Sequence, residues 1–268
     1  MRSEAGAECH ITRMRPATFS LTDQIGASPL KGEIMIKDEV LYELVYNALS
    51  FGTAVMLGAF VYFLTQIKSV AKQYQSGVAV SAVVVGIAGY HYYRMWSGWA
   101  AETVNEGYRY ADWLITVPLL VIELLIVLGV TADRRKKLMT TLVPATVLMI
   151  GLGYPGETSE IDSTKWTFWV LSMLPFLYIL LTLSKELKAA GARETGAVSS
   201  AIKSATTILL VTWLVYPIGY LFPVIFEATN EGAEAARQVA YTFADITAKA
   251  LFGLMILNIA KARSGDSH

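Results

Sequence analysis

Seven apolar runs divide the chain, at about residues 40–67, 75–97, 107–130, 136–154, 164–185, 200–226 and 235–261, with short polar stretches between them. A bilayer's hydrocarbon core takes about 20 mainly apolar residues per helical span, and each run is close to or beyond that length. An open strand would leave its backbone groups unpaired in lipid, so the runs are predicted to be helices. The expected fold is all-α, a seven-transmembrane-helix bundle occupying residues 39–263. Residues 1–38 are expected to form a flexible N-terminal tail, without the apolar core of a secretory signal peptide, and 264–268 a short C-terminal tail.

Composition agrees. Of the 268 residues, 54% are hydrophobic and only 16% charged, too few to coat a soluble domain of this size. A multi-pass protein of the cell (plasma) membrane is therefore expected. A formal net charge of +0 argues against nucleic-acid binding, which needs a basic surface. The single cysteine, Cys9, excludes an intrachain disulfide, and His10, His91 and His268 are too scattered to suggest a metal site.

The connections alternate in charge. Lys68 and Lys72, then Arg134 to Lys137, then Lys185, Lys188, Arg193 and Lys203, and finally Lys261 and Arg263 fall on one side. Glu157, Glu160 and Asp162, followed by Glu227, Glu231 and Glu234, fall on the other. Basic connections stay inside, which predicts an extracellular N-terminus and a cytoplasmic C-terminus.

Some charges fall inside the apolar runs, where each costs roughly 3 kcal/mol on insertion scales. The last run carries Lys249 near its middle and Asp245 four residues earlier, on the same helical face. A plain buried ion pair explains these two. So does a lysine that holds a carbonyl cofactor as a Schiff base opposite a carboxylate. The third run, GYRYADWLITVPLLVIELL, adds Arg109, Asp112, Thr116 and Glu123. At about 100° per residue, Asp112, Thr116 and Glu123 project within one narrow wedge, and Glu123 lies about 16 Å along the axis from Asp112. Under the charge-derived topology, Asp112 and Asp245 lie on the outer side of the Lys249 nitrogen and Glu123 on its inner side. A purely structural role explains one of these groups, not the whole set.

At these residues the chain resembles the microbial rhodopsins, particularly bacterial proton pumps such as proteorhodopsin and xanthorhodopsin. The likeness rests on Arg109-Tyr110-x-Asp112-Trp113-x-x-Thr116-x-Pro118-Leu119-x-x-x-Glu123, on Asp245-x-x-x-Lys249 with Phe252-Gly253, and on Trp213-x-x-Tyr216-Pro217. It implies all-trans retinal bound covalently to Lys249 as a protonated Schiff base. Asp112 would be counter-ion and proton acceptor, Asp245 the second counter-ion, Glu123 the cytoplasmic proton donor, and Arg109 the group steering the released proton outward. The implied activity is a light-driven outward proton pump, a transporter rather than an enzyme. The triplet Asp112, Thr116, Glu123 matches the proton-pumping members rather than those that move sodium or chloride.

Other positions carry weaker expectations. By the same resemblance His91 pairs with Asp112 and tunes its proton affinity; an ordinary histidine at a helix contact is the alternative. Trp113 and Trp213 would sandwich the polyene, Pro217 would bend its helix, and Tyr110, Tyr216, Met149 and Gly153 would line the pocket. Leu120 resembles the green-absorbing variants. Trp169 stands where carotenoid-binding relatives have glycine, so no carotenoid antenna is expected. Glu227 and Glu231 face outward as candidate proton-release groups, a solvated acidic loop being the plainer reading. The resemblance also suggests a homo-oligomer, trimer or pentamer, in the lipid bilayer. A sensory rhodopsin signalling to a partner protein, and a light-independent transporter with a plain Lys249–Asp245 salt bridge, are the alternatives.

Overall fold

The computed structural model describes residues 36–103, 105–226 and 229–265. Seven long helices follow one another: α1 (Glu39–Gln66), α2 (Lys72–Ala100), α3 (Gly107–Val127), α4 (Ala132–Glu157), α5 (Asp162–Arg193), α6 (Gly196–Tyr220) and α7 (Glu231–Gly265). No strand occurs among the described residues. Successive helices pack side by side, and α7 closes the ring against α1 and α6 while also touching α2 and α3. That position, against four neighbours, puts the side chains of α7 at the heart of the bundle.

Local chemistry sets the helix ends. Asp38 caps α1 through the Leu41 N–H, Thr131 caps α4 through that of Arg134, and Asn230 caps α7 through that of Ala233. Gly129, at φ +68°, lets the chain leave α3, and a side chain there would strike the Arg263 guanidinium. The helices reach further than the apolar runs, because charged residues continue a helix after the hydrocarbon ends. Arg134 to Lys137 therefore lie on the first turns of α4, Lys185, Lys188 and Arg193 on α5, Lys203 on α6, and Glu157 at the end of α4, rather than in connections. Likewise α7 continues to Gly265, two residues past the expected boundary. In the other direction, the run expected to continue to 226 stops as α6 at Tyr220, and a separate turn spans Phe222–Ile225. Pro223, which has no N–H to give, sits at that break.

Six helices are long and apolar enough to cross a bilayer; α2 is not among them. Gln73 and Gln75 near its start, and the Tyr90–Tyr93 cluster with Arg94 towards its end, shorten its apolar stretch. It is nonetheless packed into the bundle, with Gly86 against the Phe60 ring and Gly89 against Leu57. Leu174, Leu181, Val211 and Ile218 are each more than half exposed, whereas Arg109, Asp112, Glu123, Asp245 and Lys249 are buried. Apolar outside and charged inside is the arrangement lipid demands.

Residues 1–35, 104, 227, 228 and 266–268 lie outside the described part. Cys9, His10, Glu227, His268 and most of both expected tails fall there.

Candidate functional site

The site is built on α7. Its backbone widens to a π-turn over Ile246–Leu251, a local form recurrent at functional positions. Asp245 and Lys249 still share a face, and the amine lies 3.0 Å from Asp245 Oδ1. The same amine donates a hydrogen bond to Asp112 Oδ2 of α3. One buried ammonium thus faces two buried carboxylates.

The two carboxylates differ in how they are held. Asp245 accepts from the Tyr216 hydroxyl at 2.8 Å, the Tyr92 hydroxyl at 2.9 Å and the Trp113 indole N–H at 3.1 Å. Asp112 has the amine on Oδ2, while its Oδ1 has no hydrogen bond and only His91 Nδ1 at 3.9 Å. His91 is itself engaged with the Ile87 carbonyl oxygen at 3.0 Å. The Thr116 hydroxyl donates to the Asp112 carbonyl oxygen at 2.8 Å, tying the backbone just ahead of Pro118.

Beside the amine lies a cavity of about 730 Å³, counting its mouth, lined from α3, α4, α5, α6 and α7. Every position expected to form the pocket borders it: Tyr110, Trp113 and Leu120, then Met149 and Gly153, Trp169, and Trp213, Tyr216 and Pro217, with Lys249 itself. Its walls are apolar and aromatic, with few polar groups, as small-molecule sites are. Gly153 packs close to Tyr110, whose ring would lie 3.3 Å from an added Cβ, a tight contact. The Trp169 indole donates to the Pro217 carbonyl oxygen at 3.0 Å. That carbonyl lacks its helical partner because the Leu221 N–H turns back to Ile218 instead, so Trp169 caps the end of α6.

Two groups stand apart from the cavity. Glu123 is fully buried and neither carboxyl oxygen makes a hydrogen bond. Ser81 of α2 stands beside it, its hydroxyl directed to the Gly77 carbonyl oxygen at 3.4 Å. Arg109, on the far side of the amine, donates to Tyr92, Gln238 and Glu106.

Beyond Arg109 the structure assembles a cluster that sequence reasoning missed. Arg237 reaches Glu157 at 2.6 Å, Glu234 at 2.9 Å and Glu106 at 3.2 Å, with Gln238 also bonded to Glu106 and Glu234. Tyr110 and Tyr241 both donate to Glu157, joining the cavity wall to this cluster. Burial opposes ionisation of Glu106, but the Arg237 and Arg109 guanidiniums outweigh it and hold its carboxyl below the usual carboxylate range. Glu157 and Glu234, placed by the sequence in acidic connections, have buried side chains here. Glu231 instead caps the backbone N–H groups of Lys37 and Asp38. A signal for the cluster exists: Glu234, Gln238, Tyr241, Asp245 and Lys249 recur at helical spacing along one face of α7.

Comparison with known proteins places these features. The family model described as "Bacteriorhodopsin-like protein" matches residues 45–263. Green-light absorbing proteorhodopsin from the gamma-proteobacterium EBAC31A08 is 31% identical over 228 residues, covering 83% of this chain and 89% of its own. Blue-light absorbing proteorhodopsin from the gamma-proteobacterium Hot 75m4 is 32% identical over 219 residues, covering 80% and 85%. Among solved structures, xanthorhodopsin, described as a light-driven ion pump with dual chromophore, superposes with a TM-score of 0.81 at 41% identity, covering 85% of this chain and 96% of that one. A thermophilic rhodopsin gives 0.80 at 38% identity, covering 85% and 97%.

Proposed function

Because the chain belongs to the bacteriorhodopsin-like family, we propose that it is a light-driven outward proton pump whose chromophore, all-trans retinal, is carried by Lys249. The observation that carries this reading is the buried Lys249 amine, held between Asp112 and Asp245 and bordering an apolar aromatic cavity. A free salt bridge needs no cavity; a covalently anchored apolar chromophore needs both. When bound as a protonated Schiff base, retinal supplies light absorption and a photoisomerisation that reorients the N–H at this nitrogen.

The residues then divide the work. Asp112, with one oxygen free, is the acceptor for a proton leaving Lys249 Nζ. Asp245, fixed by Tyr92, Tyr216 and Trp113, stays ionised and balances the nitrogen's charge. Glu123 has no cation beside it and its carboxyl oxygens make no hydrogen bond, and an unpaired buried carboxylate is costly, so it rests protonated and returns a proton to Lys249 Nζ. Arg109, linked through Tyr92 to Asp245 and directly to Glu106, leads the proton away from Asp112. The basic residues at the helix ends on one side give the direction. Asp112 lies toward the outside and Glu123 toward the cytoplasm, so net movement is outward. A pump of this kind belongs in the plasma membrane, where it stores light energy as a proton gradient.

Glu123 favours pumping over sensory signalling, since a signalling cycle does not need a proton donor. Trp169, tied to the Pro217 carbonyl oxygen, stands where carotenoid-binding relatives carry glycine, so a single chromophore is proposed. Regeneration with all-trans retinal tests the reading: the native protein should gain a visible absorption band that Lys249→Ala cannot form. A retinal-independent Lys249 would leave the two indistinguishable.

A further inference from the structure

Two acids border the cavity, Asp245 beside the amine and Glu157 at the end of α4. Glu157 has no share in the work divided above, yet its side chain is only 2% exposed and firmly held. It accepts from Arg237 at 2.6 Å, from the Tyr241 hydroxyl at 3.3 Å and from the Tyr110 hydroxyl. Tyr110 and Tyr241 border the cavity with it, whereas Arg237 does not. The ion pair therefore turns its negative end to the cavity and its positive end away. Tyr241 precedes Lys249 by eight residues, about 12 Å along α7, and helical side chains lean toward the N-terminus. The carboxylate that Tyr241 holds is thus set well away from the amine, and it shares no hydrogen-bond partner with Asp245. From Lys249 the cavity runs across to α4 and α5, where Met173 and Phe176 close it. Glu157 faces that remote part.

We infer that Glu157 tunes the colour of the pigment, as an anion facing the part of the chromophore away from the nitrogen, where it lowers the energy of the light absorbed. The inference rests on the reading of Lys249 as the retinal-bearing residue. Excitation of a protonated polyene imine shifts positive charge from the nitrogen toward the far end of the conjugated chain. Asp112 and Asp245, beside the nitrogen, favour the ground state and widen the gap. An anion beside the far part favours the excited state and narrows it. Glu157 contacts neither Lys249 nor Asp112, so it acts on absorption without exchanging a proton with them.

The test reads the absorption band and the resonance Raman spectrum of protein regenerated with all-trans retinal. Glu157→Gln, which removes the charge and keeps the shape, should move the band about 10 nm to the blue. The C=C stretch should rise with it. The C=N stretch and its deuterium shift, which report the nitrogen's own surroundings, should stay as in the native pigment. The blue shift should persist in an Asp112→Asn background, because the two charges act on opposite ends of the chromophore. A purely structural Glu157 would leave the band in place in Glu157→Gln, whose amide oxygen still accepts from both tyrosines, and would lower heat resistance alone. A band within about 2 nm of native, a red shift, a C=N stretch that moves with the band, or a shift lost in the Asp112→Asn background overturns the inference. If Glu157→Gln does not assemble, Glu157→Met decides by the same criteria. If the native chain forms no visible band with retinal, the Lys249 reading fails and the tuning with it. A native band that Glu157→Gln leaves unmoved defeats the tuning alone.

Discussion

Asp112 and Asp245 are the same residue type, equally buried and both within reach of one amine, yet their surroundings differ, and the proposed division of work follows from that difference. Three fixed donors besides the amine hold Asp245 as an anion, whereas Asp112 keeps one oxygen free. Asp112→Asn should therefore shift the absorption band to the red and stop pumping, read by spectroscopy and by light-induced pH change. Glu123→Gln should leave colour nearly unchanged but slow proton return about a hundredfold, the scale on which a positioned acid acts; flash photolysis at the band maximum measures it. Asp112, Thr116, Glu123, Asp245 and Lys249 were legible because polar groups inside apolar runs stand out. Tyr92 was not. A tyrosine in a membrane helix reads as an interfacial anchor, and only the rotation of α2 against α7 shows that its hydroxyl reaches Asp245.

Among the elements, α7 carries the charge line and α3 to α6 carry the cavity wall. The tie from Trp169 to Pro217 joins α5 to α6 at the cavity's border. Trp169→Gly should loosen that border, and a carotenoid added in membranes should then transfer excitation to the retinal band, an effect absent from the native protein; excitation spectra read both. The Glu106 network ties α3 to α7, and through Arg237 to Glu157 of α4. With its folded-state proton affinity lowered, Glu106 contributes stability above the ordinary carboxylate range, which is lost as pH falls through and below that range. Glu106→Gln should cost roughly 1–3 kcal/mol near neutral pH. Native and variant should converge on acidification, followed as the temperature at which the visible band disappears. Helix identity was plain from the apolar runs, but helix ends were not. Charged residues such as Arg134 and Glu157 prolong a helix past the hydrocarbon, and Pro223 divides a run that hydropathy shows as continuous.

For the whole molecule, the bundle places one polar line inside an apolar shell, running from Glu123 past Lys249 and Asp112 to Arg109 and the Arg237 cluster. The line is broken at Glu123, which does not border the cavity beside the amine. A pump needs such a break, since a continuous path would conduct protons down the gradient it builds. The decisive measurement is the pH of an unbuffered suspension of retinal-supplied cells under illumination. The medium should acidify with light, recover in the dark, and show no change with an uncoupler present or with Lys249→Ala in place of the native chain. Steady pH, or alkalinisation that survives the uncoupler, in cells that display the visible band would contradict an outward proton pump.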